Sequence, residues 1–575
     1  ELFRLPMSGG EAHAYELKVT PVVDESADDD AIPPKKSGEP LTRDPLPLDV
    51  DGYDVSPDGG TIAVLARDPQ TAGEKKQKDA KADALWLNHD RHGKRLYLLD
   101  SQSEKLTPVA VPPDVASIAW SRQNDRLIAL TQGPNHAGDL GPDAKAWLVE
   151  IKNPGHPTQI KEVPATVEQG SFSDDGSSFY FVAQAKHDAP PGYNDLHVLN
   201  LADRSVRNLT DGFTGSILGE KPVGLGGDMV QGVQTGTRSG YARVHNARAE
   251  PLHFDAPVVR RLDCDRQRLA CVWIGESSRE PPALYYSNAL GKQAQKLNTP
   301  GLLPGNWPRT QARLVSWSNE GLALEGLLYL PTLSGSAPTP LLVDVHGGPT
   351  GAWLEYFDPM IAYLMGQGWA VFRPNPRGST GYGAAFAAAN KNDLGGGDYR
   401  DIMTGLDAVI SSNSIDAGKL ALMGYSYGGE MAGFVEGKTD RFRAIVSGAP
   451  VIDQQSEYGT EDNPWYDHWF YGSPWEHSED AWRQSPLAGA AHAKTPFLLI
   501  QGEEDKVDPL GQSLEMYRAL RQAGVHVELV QYPREDHGPL SNGMRGGSSP
   551  EPWHGFDVRQ RLIKFINTAF SQAGG

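Results

Sequence analysis

Residues 422–429 read Leu-Met-Gly-Tyr-Ser-Tyr-Gly-Gly, a Gly-X-Ser-X-Gly motif centred on Ser426. An apolar stretch predicted to be a strand precedes the motif, and a helix is predicted to follow Gly428. In this context the glycines permit a sharp, strained turn that holds the serine hydroxyl out of the sheet, and the new helix directs its dipole toward a developing oxyanion. A serine in an ordinary glycine-rich turn is the alternative, but the flanking elements favour Ser426 as a nucleophile.

The sequence around this motif alternates between apolar strands and helices. Strands are predicted at 322–330, 341–345, 370–372, 420–423, 444–446, 497–500 and 527–530, and helices at 357–365, 399–411, 512–522 and 556–570. Such alternation is typical of a mostly parallel sheet with helices on both faces. We therefore predict that residues 310–575 form an α/β domain with a doubly wound sheet.

The region before residue 310 follows a different pattern. Short runs of β-branched, aromatic and aliphatic residues alternate with turn clusters, and a polar turn followed by an apolar strand recurs at Ser56, Ser121, Ser173 and Asp263. The spacings are 65, 52 and 90 residues, the last close to two units of 45, and periods near 45 with a hairpin in each unit are typical of β-propeller blades. Residues 1–309 are therefore predicted to form an all-β propeller, with six or seven blades at this period.

Composition excludes several classes of protein. The chain has 575 residues, 39% hydrophobic and 22% charged, with a net charge of −20. This length predicts more than one domain, and the negative charge disfavours nucleic acid or an anionic membrane as a partner. No stretch has the roughly 18 apolar residues of a membrane span, so we expect a soluble protein. The sequence begins at Glu1, so a cytoplasmic, periplasmic or secreted location stays open.

Metals and cofactors are not expected. Two cysteines, Cys264 and Cys271, are too few for a disulfide scaffold or a cysteine metal cluster, and no HExxH motif occurs. Residues 433–439 imitate a phosphate loop but lack its glycine spacing. Seven residues around a tight turn rarely align two sulfur atoms well, so we expect the cysteines to be unbonded, although a local disulfide across a hairpin is an open alternative.

A serine nucleophile needs a base and an orienting acid, which follow it in the order acid, then histidine, on this fold. Asp505 comes after the predicted strand 497–500, and His537 comes after the strand 527–530. The carboxyl ends of parallel strands share one edge, where catalytic groups gather. We therefore predict Asp505 as the acid and His537 as the general base, with Glu504 and Asp508 as rivals that we expect to be solvated loop charges.

The oxyanion of the reaction needs backbone donors. One is normally the N–H after the nucleophile, here that of Tyr427. The second is expected from the glycine-rich loop after strand 341–345, where bare backbone can approach a substrate. We assign it to Gly348, with Gly347 as the alternative.

Several of these segments resemble the prolyl oligopeptidase family of serine peptidases (peptidase family S9), in particular its acylaminoacyl-peptidase and dipeptidyl-peptidase branch. The matching segments are HGGPTG at 346–351, RPNPRGSTGYG at 373–383, GYSYGG at 424–429, GEED at 502–505 and DHG at 536–538. The resemblance implies a seven-bladed propeller that caps the α/β-hydrolase domain and restricts access to short peptides. It also places the family's nucleophile, acid and base on Ser426, Asp505 and His537.

The resemblance further implies a hydrophobic pocket for the residue before the scissile bond. The matching region is rich in aromatic residues, some of which core packing explains, and the candidates are Tyr458, Trp465, Trp469 and Phe470. Where the family usually has valine before a proline that follows the acid, this chain has Asp508. Dipeptidyl-peptidase relatives bind the substrate amine with a pair of glutamates in the propeller; no such pair is identified here, and Glu457 and Glu461 are alternatives.

The function predicted is that of a serine peptidase, which cleaves short peptides through an acyl-enzyme. Acylaminoacyl-peptidase, dipeptidyl-peptidase and oligopeptidase modes all stay open, as does assembly into a homo-oligomer. A carboxylesterase with the same triad is one alternative, because the fold alone does not select the substrate. A propeller interaction protein with a vestigial hydrolase domain is another, and the complete triad argues against it.

Overall fold

The structure is a computed structural model of the chain. It describes residues 2–5, 11–19, 45–67, 69, 78–82, 84, 93–132, 142–185, 189–225, 227–265, 270–297, 307, 310–331, 337–547 and 549–572. Two compact units are present: the first comprises the described residues within 1–136, 142–183 and 197–207, and the second those within 184–196 and 208–575. The predicted domain boundary between residues 309 and 310 lies within the second unit and stays a prediction; residue 309 is outside the described residues.

The N-terminal part of the chain consists of short β-strands. In chain order they are β1 to β25: Phe3–Arg4, His13–Ala14, Lys18–Val19, Leu46–Pro47, Asp49–Val55, Thr61–Arg67, Lys94–Asp100, Leu106–Pro108, Val115–Trp120, Arg126–Thr131, Lys145–Glu150, Thr158–Ile160, Gln169–Phe172, Ser178–Gln184, Asn194–Asn200, Val206–Asn208, Ser216–Ile217, Val223–Leu225, Asp228–Thr235, Arg238–His245, Arg248–Pro251, Val258–Asp265, Ala270–Ser277, Glu280–Ser287 and Gln295–Lys296.

These strands build a β-propeller, as predicted. In the first unit, β5 to β8 and β9 to β12 each form a four-stranded antiparallel sheet, which is the blade of this architecture. In three of the four predicted copies the polar turn is a structural repeat, because a serine hydroxyl donates to an aspartate in the same turn, whereas Asp263 lies within β22. The pairs are Ser56 with Asp58 at 2.7 Å, Ser121 with Asp125 at 2.6 Å and Ser173 with Asp175 at 2.6 Å.

The cysteines are bonded, so the expectation that they are free was wrong. Cys264 in β22 and Cys271 in β23 form a disulfide, with their Cα atoms 4.1 Å apart. The two residues are register partners in adjacent antiparallel strands. Directly opposed residues in such a pair bring their side chains together on one face, which a turn seen only in sequence does not reveal.

The C-terminal part contains an eight-stranded, mostly parallel sheet. Its strands are β26 to β33 in chain order: Arg313–Asn319, Leu322–Tyr329, Thr339–Val345, Ala370–Asn375, Ile415–Tyr425, Ala444–Gly448, Phe497–Gly502 and Val527–Tyr532. Their order in the sheet is β26, β27, β29, β28, β30, β31, β32, β33. Strand β27 is antiparallel to both of its neighbours, β26 and β29. The last six strands in this order, β29, β28, β30, β31, β32 and β33, are parallel to one another, as the alternation of strands and helices predicts.

Helices cover both faces of this sheet. They are α1 to α10 in chain order, Pro359–Gly366, Ala384–Ala387, Gly397–Ser412, Tyr427–Lys438, Gln454–Tyr458, Pro464–Tyr471, Ser478–Arg483, Leu510–Gln522, His537–Met544 and Pro552–Gln572, with a 3₁₀ helix at Pro486–His492. Helices α3, α4 and α8 bury apolar residues in one core cluster, and α1, α9 and α10 bury theirs in the other. This is the doubly wound arrangement that was predicted. Among the described residues, no helix is both long and apolar enough to cross a membrane.

Candidate active site

Ser426 occupies a strained turn between β30 and α4. Its φ of +60° is in the left-handed region, which a residue with a side chain seldom adopts. The two motif glycines make the turn possible: a Cβ on Gly424 would lie 2.2 Å from the Gly428 carbonyl oxygen, and one on Gly428 would lie 2.3 Å from that of Val345. Strand and helix thus meet too closely for any side chain at these positions, and Ser426 is held at the N-terminus of α4.

The predicted acid and base are in direct contact. His537 Nδ1 lies 2.8 Å from Asp505 Oδ2. The other carboxylate oxygen of Asp505 accepts hydrogen bonds of 3.0 Å from the backbone N–H groups of Val507 and Asp508, so the acid is fixed by its own loop. Because Nδ1 faces the acid, the ring's Nε2 is the nitrogen available to exchange a proton with a substrate or a nucleophile.

Asp508 is buried, so the expectation that it is a solvated loop charge was wrong. It is 4% exposed, and its Oδ2 lies 4.0 Å from His537 Nδ1. The Ser426 side chain adjoins its carboxyl group and acts to lower its pKa. Glu504, the other rival, is exposed as expected. Asp508 therefore links the nucleophile to the acid–base pair, although sequence position alone made it look like one of several loop charges.

The charges around His537 favour its protonated form. Burial by itself lowers the pKa of the imidazole, but the Asp508 and Asp505 carboxylates outweigh that effect and raise it to about 9. Burial raises the pKa of Asp508 to about 7, with His537 acting in the opposite direction. The two groups are thus coupled: the proton of each responds to the charge of the other.

The glycine-rich loop after β28 lies against the nucleophile. A Cβ on Gly347 would be 3.5 Å from Ser426 Cβ and 4.0 Å from its Oγ, so the bare backbone of this loop adjoins the hydroxyl. Gly348 has a φ of +132°, and a Cβ there would be 2.6 Å from the Thr350 N. Both candidate glycines thus occupy positions where a side chain would disturb the loop.

His346, which begins this loop, is a buried neutral imidazole. Burial lowers its pKa to about 4. Its Nε2 lies 2.9 Å from the Ser379 Oγ and its Nδ1 lies 2.8 Å from the Gly347 carbonyl oxygen, so both ring nitrogens are engaged by the protein. The His346 ring is therefore not available as an oxyanion donor, and the donors expected from this loop are its backbone N–H groups.

The aromatic candidates for a substrate pocket lie on α5 and α6. Phe470 is 1% exposed and Tyr458 is 4% exposed, and both belong to the core on one face of the sheet. Trp465 and Trp469 are half-buried. Tyr466, which belongs to the same aromatic region, contacts the glycine-rich loop through its hydroxyl, 2.7 Å from the Thr350 Oγ1. Helix α6 therefore reaches the loop beside Ser426, whereas Phe470 serves the core.

Sequence reasoning missed how many acidic side chains surround this site. Glu430 on α4, Glu457 at the end of α5 and Glu461 just after it are all buried. Burial is the largest cause that raises the pKa of each carboxyl group above its ordinary value. The sequence offered Glu457 and Glu461 only as alternatives for binding a substrate amine and gave no sign of Glu430, because helix propensity does not show which way a side chain points.

Comparison with known proteins finds a family match for the C-terminal part of the chain. Residues 355–569 match the model of the prolyl oligopeptidase family. The uncharacterized peptidase YuxL of Bacillus subtilis is 34% identical over 224 residues, 38% of this chain and 34% of that protein. The acylamino-acid-releasing enzyme of Sus scrofa is 33% identical over 229 residues, 38% of this chain and 31% of that protein. The chain thus spans about a third of the length of these relatives.

Similarity to solved structures extends over nearly the whole chain. The acylaminoacyl peptidase of Pyrococcus horikoshii matches with a TM-score of 0.68 at 18% identity, covering 92% of this chain and 89% of that one. A puromycin-hydrolyzing peptidase of Mycobacterium tuberculosis matches with a TM-score of 0.68 at 20% identity, covering 92% and 81%. At these identities the likeness establishes the shared fold of propeller and α/β-hydrolase.

Proposed function

We propose that the chain is a serine peptidase of the prolyl oligopeptidase family, whose model matches residues 355–569, and that it hydrolyses short peptides through an acyl-enzyme. The observation that carries this proposal is the contact of His537 with Asp505, 2.8 Å from nitrogen to oxygen, beside a serine held at φ +60°. The matched relatives include acylamino-acid-releasing enzymes and a dipeptidyl-peptidase of Aspergillus oryzae, which supports a peptide substrate.

In the proposed reaction Ser426 is the nucleophile. Its hydroxyl oxygen attacks the scissile carbonyl carbon while neutral His537 accepts the hydroxyl proton at Nε2. Asp505 keeps the Nδ1–H of the ring oriented and stabilises the imidazolium that forms. His537 then donates the proton to the leaving amine, and a water molecule activated by the same imidazole releases the acyl group from Ser426.

The proposed oxyanion hole uses the Tyr427 N–H and the Gly348 N–H, with Gly347 as its neighbour in the same loop. Tyr427 is the first residue of α4, so its N–H points out of the helix N-terminus, where the dipole favours negative charge. Its side chain faces the other way and donates a hydrogen bond of 2.8 Å to Asp398. We propose that only its backbone takes part in the chemistry.

The proposed substrate pocket is formed by α5, α6 and the turn between them. Trp465 and Trp469 are the half-buried aromatic candidates of this region, and Tyr458 and Phe470 pack behind them in the core. Short peptides are proposed as the substrates, and the terminus that is recognised stays open.

The decisive experiment compares wild type with Ser426→Ala on peptide and ester substrates. A library of peptides with free, acetylated and amidated ends, read by mass spectrometry, would show which bonds are cut and whether cleavage is counted from one terminus. We expect peptide cleavage by wild type and none by the variant. Peptide cleavage that persists in Ser426→Ala would refute the mechanism, and ester hydrolysis without any peptide cleavage would support the carboxylesterase instead.

A further inference from the structure

Four acidic side chains beside Ser426 form a group that we call the acidic cluster: Glu457, Glu461, Asp467 and Asp508. Asp508 contacts the Ser426 side chain. Glu457 interacts electrostatically with the other three, and Glu461 does so with Asp467 and Asp508. The cluster thus extends from the nucleophile into the region between α5 and α6.

The backbone holds this cluster close to the catalytic acid. The N–H of Asp462, next to Glu461, donates a hydrogen bond of 2.9 Å to the Lys506 carbonyl oxygen, in the loop that carries Asp505 and Asp508. Asp467 is fixed at its other side by the Tyr471 hydroxyl at 3.0 Å. The relative positions of the carboxyl groups are therefore set by the fold rather than by flexible side chains.

Several oxygens of the cluster lack a partner. Both oxygens of Glu457, Oε1 of Glu461 and Oδ2 of Asp508 are buried without a hydrogen bond to any residue that the structure describes. Glu457 is 1% exposed and Glu461 is 7% exposed. Buried carboxyl oxygens without a partner are costly, and native proteins seldom retain them without a reason.

The protein itself supplies no strong cation to this cluster. Within the described part of the chain, no ion pair joins a lysine or arginine to any of its four members; His537 at 4.0 Å from Asp508 is the only cationic side chain in range. Burial raises the pKa of Glu461 to about 10 and that of Asp467 to about 6. At neutral pH Glu461 is therefore held largely in the protonated form, whereas Asp467 is mostly ionised, and a cation that entered would allow Glu461 to ionise as well.

We propose that the acidic cluster binds the positively charged side chain of a lysine or arginine immediately before the scissile bond. This inference rests on the proposed peptidase function and deepens it. The proximity of Asp508 to Ser426 identifies the substrate group that would reach the cluster. The acyl carbon bonded to Ser426 belongs to the residue before the scissile bond, so the side chain of that residue is the substrate group that begins nearest to Asp508.

The free α-amine of a substrate is the competing source of positive charge. In a substrate with two or more residues before the scissile bond, the α-amine would sit at least one further residue along the chain, about 3.5 Å more from the reacting carbonyl. By contrast, the first of the unpartnered carboxyl oxygens, Oδ2 of Asp508, belongs to a residue that adjoins the nucleophile. A flexible lysine or arginine stem can span from Ser426 past Asp508 to Glu457 and Glu461 while its head pairs with more than one carboxylate.

The test uses matched fluorogenic peptides, N-acetyl-alanyl-X-aminomethylcoumarin, in which X is lysine, norleucine, arginine or citrulline. Norleucine and citrulline keep the shape of the side chain and remove its charge. We expect kcat/KM to be at least about thirtyfold higher for lysine than for norleucine, as for a buried charge pair that loses one partner. Glu457→Gln and Glu461→Gln should each reduce this ratio at least about tenfold.

Glu504→Gln is the matched control, because Glu504 is an exposed carboxylate of the same loop and lies outside the cluster; it should leave the ratio unchanged. A fluorophosphonate probe of Ser426, which carries no cationic group, should label wild type and all variants alike and so show that they are folded. The same peptides with a free α-amine separate the two sources of charge.

Equal kcat/KM for lysine and norleucine, or a ratio unaffected by both glutamine variants, would overturn the inference while leaving the peptidase intact. A preference that follows the free α-amine rather than X would also overturn it, as would loss of the preference on adding a metal chelator. Failure of the proposed function gives a different result: no peptide of the set is cleaved, or cleavage survives Ser426→Ala.

Discussion

Replacing Asp508 with asparagine tests how charge around His537 controls the reaction. The Asp508 Oδ2 lies 4.0 Å from His537 Nδ1. At an effective dielectric constant of about 20, two unit charges at this distance interact by about 4 kcal/mol, which corresponds to about three pKa units. This value is an upper limit, because Asp505 shares in raising the pKa of His537 to about 9 and burial opposes both. We expect Asp508→Asn to lower that pKa by about one to two units.

The sign of the effect on activity follows from the role of the base. His537 must be neutral to accept the proton of Ser426, so wild-type kcat/KM should rise with pH until about the pKa of 9 and be lost below it. In Asp508→Asn the rise should occur one to two units lower, so the variant keeps a larger fraction of its maximal rate at pH 7.

The assay is the pH dependence of kcat/KM between pH 5 and 10, measured with N-acetyl-alanyl-norleucine-aminomethylcoumarin. Its uncharged side chain avoids any effect of Asp508 on a basic substrate. Glu504→Gln, an exposed carboxylate of the same loop, is the control and should retain the wild-type profile. If the maximal rate of Asp508→Asn is too low, the pH dependence of fluorophosphonate labelling gives the same information. An unshifted acidic limb in the variant would refute the reasoning.

Three further substitutions test the site and the core around it. Gly348→Ala places a Cβ 2.6 Å from the Thr350 N at a φ of +132°, so we expect kcat to fall by about 10² to 10³ if the loop supplies an oxyanion donor; a change below threefold would exclude that role. Arg373→Met leaves buried Asp358 without its cationic partner, whereas Asp344 keeps Arg545; we expect a loss of about 3–5 kcal/mol in stability, seen as a lower midpoint of thermal inactivation, and an unchanged midpoint would contradict this. Tyr427→Phe removes the hydroxyl that donates to Asp398 at 2.8 Å, so stability should fall by about 1–3 kcal/mol while kcat changes less than about threefold; a large loss of kcat would mean that the side chain takes part in the chemistry.

Much of the fold follows from local pattern. The strands predicted at 322–330 and 497–500 are observed as Leu322–Tyr329 and Phe497–Gly502. Long apolar runs with regular spacing identify buried strands, and the serine–aspartate turns identify blade hairpins, because each signal is contained within a few neighbouring residues. The short helices α5, α6 and α7 were not predicted. They are brief, aromatic or acidic, and held by tertiary contacts rather than by their own helix propensity.

Local patterns also failed where two distant segments meet. The disulfide between Cys264 and Cys271 depends on the register of two strands, and sequence spacing alone pointed the other way. Asp508 and Glu504 are equivalent loop acids in the sequence, yet the structure buries the first and exposes the second. Burial depends on which elements pack over a loop, and that information is spread along the whole chain.

The sequence by itself determined the type of chemistry. The glycines around Ser426 admit only a sharp turn between strand and helix, and the order of serine, acid and histidine on successive strands points to one edge of one sheet, since parallel strands end on the same side. Only the tertiary structure decided the electrostatics. It brings Asp508 within 4.0 Å of His537 and buries Glu457 without a hydrogen-bond partner among the described residues. The pKa of a carboxyl group is set by the water it loses and the charges it meets, and both arise from packing between segments far apart in the chain.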